Sequence, residues 1–594
     1  MPNSVTNMAY ESMRGKLGES FGFKLNESGK VTDRKTVVCK KCGKSFCYTG
    51  STSSLQYHLK HIHPFQSVTA SIKGTTSSSS QSTLDNLILK PVSSIKETEI
   101  TNKLVKWIVR DSRPVNIVSD RGLEEVLQEA LNSDTYHLPS RDTVTKKIEK
   151  LYDVERSKLL GELKQAEFVS LTGDFWSSIS NRSYLGVTAH WIDSNWEYRN
   201  STLQVKHFTE NHSAANCTEE FQNVFREWGL EDKVVAVCTD NARNIVLGVE
   251  RAKYDNFRCA AHTLQLSLNK AIKDAGIEAL LSKCRKIVGH FKHSPYLENQ
   301  LAIKLKEQGL DSCKLKQDIV TRWNSTYFMF ESLMKAKRGI IDVLTTHSSN
   351  IRLPTTTEWE MIEKMIVCLK PCLEISELLG GSKYVTVSVV LPAVTHLKSS
   401  LRCSDVDPGY IARFKRTLTD DLITRVNDWC NLNVYQEATA LDPRFKYLRC
   451  IGKNDRESVW KRILERGVGG VQVPVQQCSK KRKLNFETEE DEQDSSHATP
   501  VSSLSSLAME IEVYRSLAEL EDDFADPLQW WKIHSVQLPH LARIAKKLLC
   551  IPATSVPCER VFSDAGNIVT KRRAALSSQH VNLLTCLKSW SKEA

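Results

Sequence analysis

Two cysteines and two histidines near the start of the chain have the spacing of a metal site. Cys39 and Cys42 are separated by two residues, and His58 and His63 by four. Two close thiolates followed by two imidazoles on a helix supply the four ligands of a tetrahedral Zn²⁺. The segment HLKHIH contains three histidines. His58 and His61 leave fewer intervening residues than such sites use, so His63 is the expected partner of His58. Pro64 would stop the helix there, and Cys47 reads as a bystander thiol. A segment of about 50 residues seldom folds without a staple, which argues further for the metal.

Three carboxylates form the second constellation. Asp174 follows an apolar run in SLTGDFWSS, Asp240 ends another in VVAVCTDNARN, and Glu559 lies far downstream in SVPCERVFSDAGN. Carboxylates at neighbouring strand ends can hold two divalent cations, Mg²⁺ or Mn²⁺, about 4 Å apart. Such a pair activates a water or hydroxyl for in-line attack on a phosphodiester. An Asp at a strand end is also an ordinary turn or cap residue. Spacing alone leaves both readings open.

The elements that must position these groups are legible in outline. FVSL (168–171), YLGVTAHWI (184–192), STLQVKHF (201–208) and VVAVC (234–238) read as strands, with a helix over 214–230 before the fourth. That order predicts a mixed α/β sheet whose first three strands form an antiparallel meander. From about 275 to 470 the apolar period is mostly 3.6, a large helical block. Residues 66–98 are Ser/Thr-rich and read as a flexible linker. Residues 477–510 join a Lys480–Lys483 basic cluster to an acidic run (487–494) and read as a disordered charged insert. The basic cluster has the composition of a nuclear localisation signal.

Composition narrows the class. A chain of 594 residues is too long for one core and suggests roughly three to four domains. Hydrophobic content of 40% and charged content of 25% describe a globular protein. No run of 18 apolar residues occurs, and the first residues lack an apolar signal core. Neither a membrane-spanning nor a secreted chain is therefore expected. Seventeen scattered cysteines, an odd number, suit a reducing compartment. The net charge is +11, and residues 1–65 hold ten Lys/Arg against four Asp/Glu. A compact basic module of this kind favours an anionic partner, double-stranded DNA foremost. No motif asks for a small-molecule cofactor.

Several stretches also resemble known families. TGSTSSLQYHLKHIHP is similar to the second half of a BED-type zinc finger. That resemblance implies DNA binding, with Lys40, Lys41, Lys44 and Lys60 as phosphate contacts. YHLPSRDTV (136–144), LTGDFWSS (171–178), YLGVTAHWID (184–193), the Cys259/His262 pair, TRWNST (321–326), LDPRFK (441–446) and ADPLQWW (525–531) follow in order. With LCIPATSVPCERVFSDAGNIVTKRRAALSSQHV (549–581), they resemble hAT-superfamily transposases and their domesticated relatives, the zinc finger BED domain-containing proteins.

The resemblance implies an α/β multidomain chain. A BED finger (1–65) would be followed by a linker (66–98) and a helical intermediate region (99–165). An RNase H-like core (166–274) would be interrupted by a helical insertion (275–476) and, after the charged insert (477–510), completed by a hAT dimerisation segment (511–594). It places Asp174, Asp240 and Glu559 at the family's acidic triad and has Cys259 and His262 support the site. It also matches Trp323 to a tryptophan that stacks on a DNA base. Trp530, Trp531 and the apolar face of 538–551 fit either a homodimer surface or packing on the sheet. Two functions follow from the resemblance: a nuclear, DNA-binding transcription regulator, or an active transposase.

Overall fold

The computed structural model describes residues 9–63, 92–468 and 500–593, apart from 14–16, 27, 50–51, 312, 320–321, 348–350, 523–524 and 571–575. The chain forms two compact units that divide at Leu89–Lys90.

The first unit is small. Strands β1 (Tyr10–Ser12), β2 (Phe21–Lys24), β3 (Thr36–Cys39) and β4 (Ser45–Cys47) form an antiparallel sheet in chain order, and the helix Ser53–Ile62 follows. Its core is Phe21, Phe23, Val37, Cys39 and Leu55. A core this slight offers only a few kcal/mol, so the four metal-type side chains beside it have a structural task.

The second unit is built on a five-stranded sheet ordered β7-β6-β5-β8-β9. Strands β5 (Val169–Ser177), β6 (Ser183–Ile192) and β7 (Tyr198–His207) form the expected antiparallel meander. The helix Ala214–Trp228 then returns the chain so that β8 (Val234–Thr239) runs parallel to β5. β9 (Asn256–Arg258) extends the sheet, parallel to β8. Three residues are too few to show an alternating pattern, so this strand was invisible in the sequence.

Side chains alternate across the sheet as a two-residue period requires. Val169, Leu171, Val187 and Val237 join a core with the helices Ser94–Arg110, Arg141–Gln165, Ala214–Trp228 and Ser578–Glu593. Ala236, Cys238 and Phe257 face the other way, into the core shared with the helical block and the helix Pro539–Leu549. The sheet is therefore covered on both faces. The helical block leaves it after β9 and the helix Ala260–Ala275, and runs through helices from Glu278–Lys292 to Arg456–Val468.

Two expectations need correction, and one open choice is decided. Residues 66–91 lie outside the described residues, but the linker's expected end at 98 is too late. Ser93 accepts a hydrogen bond from the Lys96 N–H and caps a helix beginning at Ser94. Residues 469–499, with Lys480–Lys483, also lie outside the described residues. The charged insert nevertheless stops before 510, because the helix Pro500–Ser516 buries Leu507, Ile511 and Tyr514 against the helical block. Finally, Trp530 and Trp531 belong to the interior. Trp531 is fully buried, stacks between Tyr514 and Trp196, and donates its Nε1–H to Leu441 O at 2.8 Å. The apolar face of Pro539–Leu549 is likewise buried. Packing within the chain therefore accounts for this aromatic and aliphatic surface.

Candidate metal and nucleic-acid sites

In the finger, β3 ends at Cys39 and the turn that follows presents Cys42, with Gly43 at φ +72° closing it. Lys44 O accepts from the Cys39 N–H at 2.9 Å, which holds the two thiols on one side of the turn. The helix carries His58 inward beside Phe21 and Phe46, and His63 sits at its C-cap. The ligand atoms of Cys39, Cys42, His58 and His63 all lie within 4.8 Å of one another. Cys42 Sγ is 3.3 Å from His58 Nε2, and Cys39 Sγ is 3.7 Å from His63 Nε2. Burial, helped by the nearby His63 and Lys44, lowers the His58 pKa and favours the neutral imidazole a metal needs. Two sulfurs and two nitrogens closed around one point fit Zn²⁺.

The four lysines behave differently from one another. Lys40 is a structural side chain: its ammonium donates to Gly18 O at 2.8 Å and to Ser12 Oγ at 2.5 Å, so it ties the finger together. Lys41 and Lys44 are exposed, and Lys44 lies over the Phe46 ring. The Lys60 side chain lies outside the described residues. Sequence reading missed the outer face of the helix, where Ser54, Gln56 and Tyr57 are exposed opposite buried Leu55 and His58. The helical period would have separated the two faces, had the ligands been used to set the phase.

In the larger unit, the parallel pairing of β5 with β8 stops at Gly173 and Thr239, while β5 runs on to Ser177 beside β6. Gly173 and Thr239 are the last parallel pair, and Asp174 and Asp240 follow them directly, Asp174 inside β5 and Asp240 just past the end of β8. Asp174 Oδ1 accepts from the Phe175 N–H, and Asp240 Oδ1 from the Ala242 N–H. Glu559 is exposed in the first turn of the helix Val556–Ile568. That helix is pinned to the sheet by its neighbour Cys558, whose Sγ is 3.0 Å from Thr172 Oγ1 and donates to Gly186 O at 3.4 Å. The Phe562 ring lies on Gly186, where any Cβ would overlap it. Gly186 pairs with Asp174 across β5 and β6, so the contact brings the helix to the same place on the sheet.

Burial first, then the charges of Asp240 and Glu559, raise the Asp174 pKa to about 7 against the lowering effect of the Phe175 N–H bond. Asp240 and Glu559 thus both lie close enough to Asp174 to act on its charge, although 319 positions separate them from each other. The Asn241 Oδ1 atom is buried beside them with no hydrogen-bond partner among the described residues. Among the described residues, Cys39, Cys42, His58 and His63 are the group whose ligand atoms close to metal-binding distance, and the three carboxylates do not form a second one.

Three other residues are expected here: Cys259, Trp323 and His262, the last half-buried in the first turn of Ala260–Ala275. Cys259 is buried as the N-cap of Ala260–Ala275, and its sulfur accepts from the N–H groups of His262 and Ser555. It clamps the chain entering the Glu559 helix to the end of the sheet. Trp323 is 4% exposed within the helical core, and its ring is not presented for base stacking. A tryptophan starting an amphipathic helix satisfies core and DNA readings alike in sequence, and here packing claims it.

Family models match four parts of the chain: a BED zinc finger over 23–64, a ZBED1 RNase-like domain over 172–253, its RNase-like helical domain over 257–368, and a hAT family C-terminal dimerisation region over 504–591. The chain thus carries regions similar to a BED zinc finger, to the ZBED1 RNase-like domains and to the hAT dimerisation region. Its relatives carry related names. A Zea mays protein named as an AC transposase is 27% identical over 82% of this chain and 64% of its own length. Human zinc finger BED domain-containing protein 4 is 24% identical over 94% of this chain and 50% of its own. A Talaromyces stipitatus protein named as a transcriptional regulator is 23% identical over 81% and 60%. The chain thus spans 50 to 64% of the length of these relatives. Among the described residues no helix is long and apolar enough to cross a membrane.

Proposed function

We propose that this chain is a zinc-dependent, DNA-binding regulator of transcription that works in the nucleus as a homodimer. The observation that carries the proposal is the Cys39, Cys42, His58 and His63 donor set, closed to within 4.8 Å beneath a short helix. Zinc there would fix the helix Ser53–Ile62 to the sheet. Gln56 and Ser54 would then reach base edges from the exposed helix face, and Lys41 and Lys44 would contact phosphates. The match to the dimerisation region supports self-association, and the basic cluster Lys480–Lys483 supports nuclear import. The test is binding of the full chain to a fluorescent duplex pool. A chelator should abolish specific binding, Lys44→Gln should weaken all sequences alike, and Gln56→Ala should change which sequences are preferred. Full binding by the zinc-stripped protein would sink the proposal.

A second reading, metal-dependent DNA strand cleavage and transfer, is favoured by the influence of Asp240 and Glu559 on the buried Asp174 carboxylate. These residues would hold Mg²⁺ or Mn²⁺, which supply Lewis acidity and an activated water or hydroxyl when bound. The protein's own part is to keep three charges together on a rigid sheet end. Nicking of DNA with Mn²⁺, lost in Asp174→Asn, would establish this reading. Nicking unchanged by that substitution would assign the activity to a contaminant.

A further inference from the structure

We infer that a groove where the helices Ser94–Arg110, Arg141–Gln165 and Ser578–Glu593 meet docks an acidic, amphipathic segment of a partner protein. The groove encloses about 650 Å³, inside the range of roughly 300–1,000 Å³ usual for ligand pockets. Its floor is apolar, formed by Trp107, Leu151, Leu587 and Trp590. Its rim carries four basic residues, Lys103, Lys106, Arg110 and Lys158, and one acidic residue, Glu155.

The charges on this rim are poorly compensated. Lys103 and Lys106 are exposed and make no ion pair with any described carboxylate. Arg110 reaches only its exposed neighbour Asp111, and Lys158 pairs with Glu155 at 2.8 Å. Lys103, Lys106 and Arg110 stand three and four residues apart on one helix face, where like charges oppose folding. An anionic occupant relieves that repulsion. The apolar floor then selects among anions, because it rewards side chains rather than phosphates.

The tryptophans favour a peptide over nucleic acid. Base stacking needs an open ring face. Trp590 is 9% exposed, stacks on Tyr152 with centroids 5.2 Å apart, and commits its Nε1–H to Thr202 O. Trp107 has the Arg113 guanidinium over its ring. The apolar floor of Trp107, Leu151, Leu587 and Trp590 suits two apolar side chains one helical turn apart, with flanking Asp or Glu reaching the rim.

The probe is a fluorescein-labelled peptide of ~14 residues with Leu and Phe four positions apart among Asp and Glu, titrated with the full chain. Lys103→Glu combined with Lys106→Glu should weaken it at least tenfold, whereas Lys103→Arg with Lys106→Arg should retain it. A peptide with both anchors replaced by Ser should bind about tenfold more weakly. Thermal melts of both double variants, unchanged from the parent, separate lost binding from lost fold. Absence of binding by the folded parent, or binding indifferent to charge reversal, overturns the inference. Displacement of the peptide by an oligothymidine that itself needs Lys103 and Lys106 also overturns it, and makes the groove a nucleic-acid track.

Discussion

His190 shows how one buried side chain can set the acid limit of the larger unit. It lies in β6 with Nε2 2.8 Å from Thr188 Oγ1, and burial pushes its pKa down to about 3. In the unfolded chain it titrates near 6.5, so below that pH the unfolded state binds a proton that the fold refuses. Stability is fully present above pH 6.5 and falls as pH drops towards 3. Between pH 7 and pH 5 the loss is roughly 2 kcal/mol from this group alone. Urea unfolding of His190→Gln should show a correspondingly shallower decline. Asp174 has the opposite sign. Its folded pKa of about 7 lies above the ordinary 3.8, so in metal-free protein its burial penalises the fold increasingly between pH 4 and 7. Asp174→Asn should therefore raise the melting temperature of metal-free protein more at pH 8 than at pH 5. For the finger, Cys42→Ser should abolish its metal-dependent circular dichroism and leave the melting of the larger unit within 1–2 °C, roughly the scale of a surface change.

At the scale of elements, the decisive object is the helix Val556–Ile568. It carries Glu559, and its seat depends on the missing side chain at Gly186 and on Cys558 reaching Thr172. Gly186→Val should lift it, costing about 1–3 kcal/mol by overpacking and any metal-dependent nicking entirely. Equal stability and activity in that variant would show that the helix is not seated by this contact. Neither determinant was legible in advance, because the seat joins residues more than 370 positions apart. The strands themselves could be read, since β5 to β8 alternate or are richly apolar over several residues. So could Asp240, which follows the end of β8, whereas Asp174 lies inside β5, which runs on past the apolar stretch to Ser177. Trp530 and Trp531 could not be assigned, because an aromatic pair looks the same whether it meets another copy or its own chain. Trp530→Ala tests the assignment: it should lower stability by about 3–5 kcal/mol and leave the mass measured by light scattering unchanged.

At the scale of the whole molecule, the finger and the larger unit are separate compact bodies. Removing residues 1–65 should abolish specific DNA binding without shifting the main thermal transition. The larger unit is far less divisible. Its sheet is completed by strands ending at Arg258, but a sheet face and the edge beside β7 are covered by segments beyond 538. Asn582 Oδ1 accepts from the Val205 N–H, and Trp590 Nε1–H donates to Thr202 O, so the helix Ser578–Glu593 occupies hydrogen-bonding positions along β7. During synthesis the five strands are finished about 300 residues before these covers exist, a delay of roughly 15–60 s at ribosomal speed. Throughout that interval the nascent chain carries an open edge of the kind that recruits other strands. Its yield in a cell should therefore depend on chaperone capacity and on the pace of translation between codons 259 and 577, and a premature stop there should produce aggregates rather than a soluble fragment.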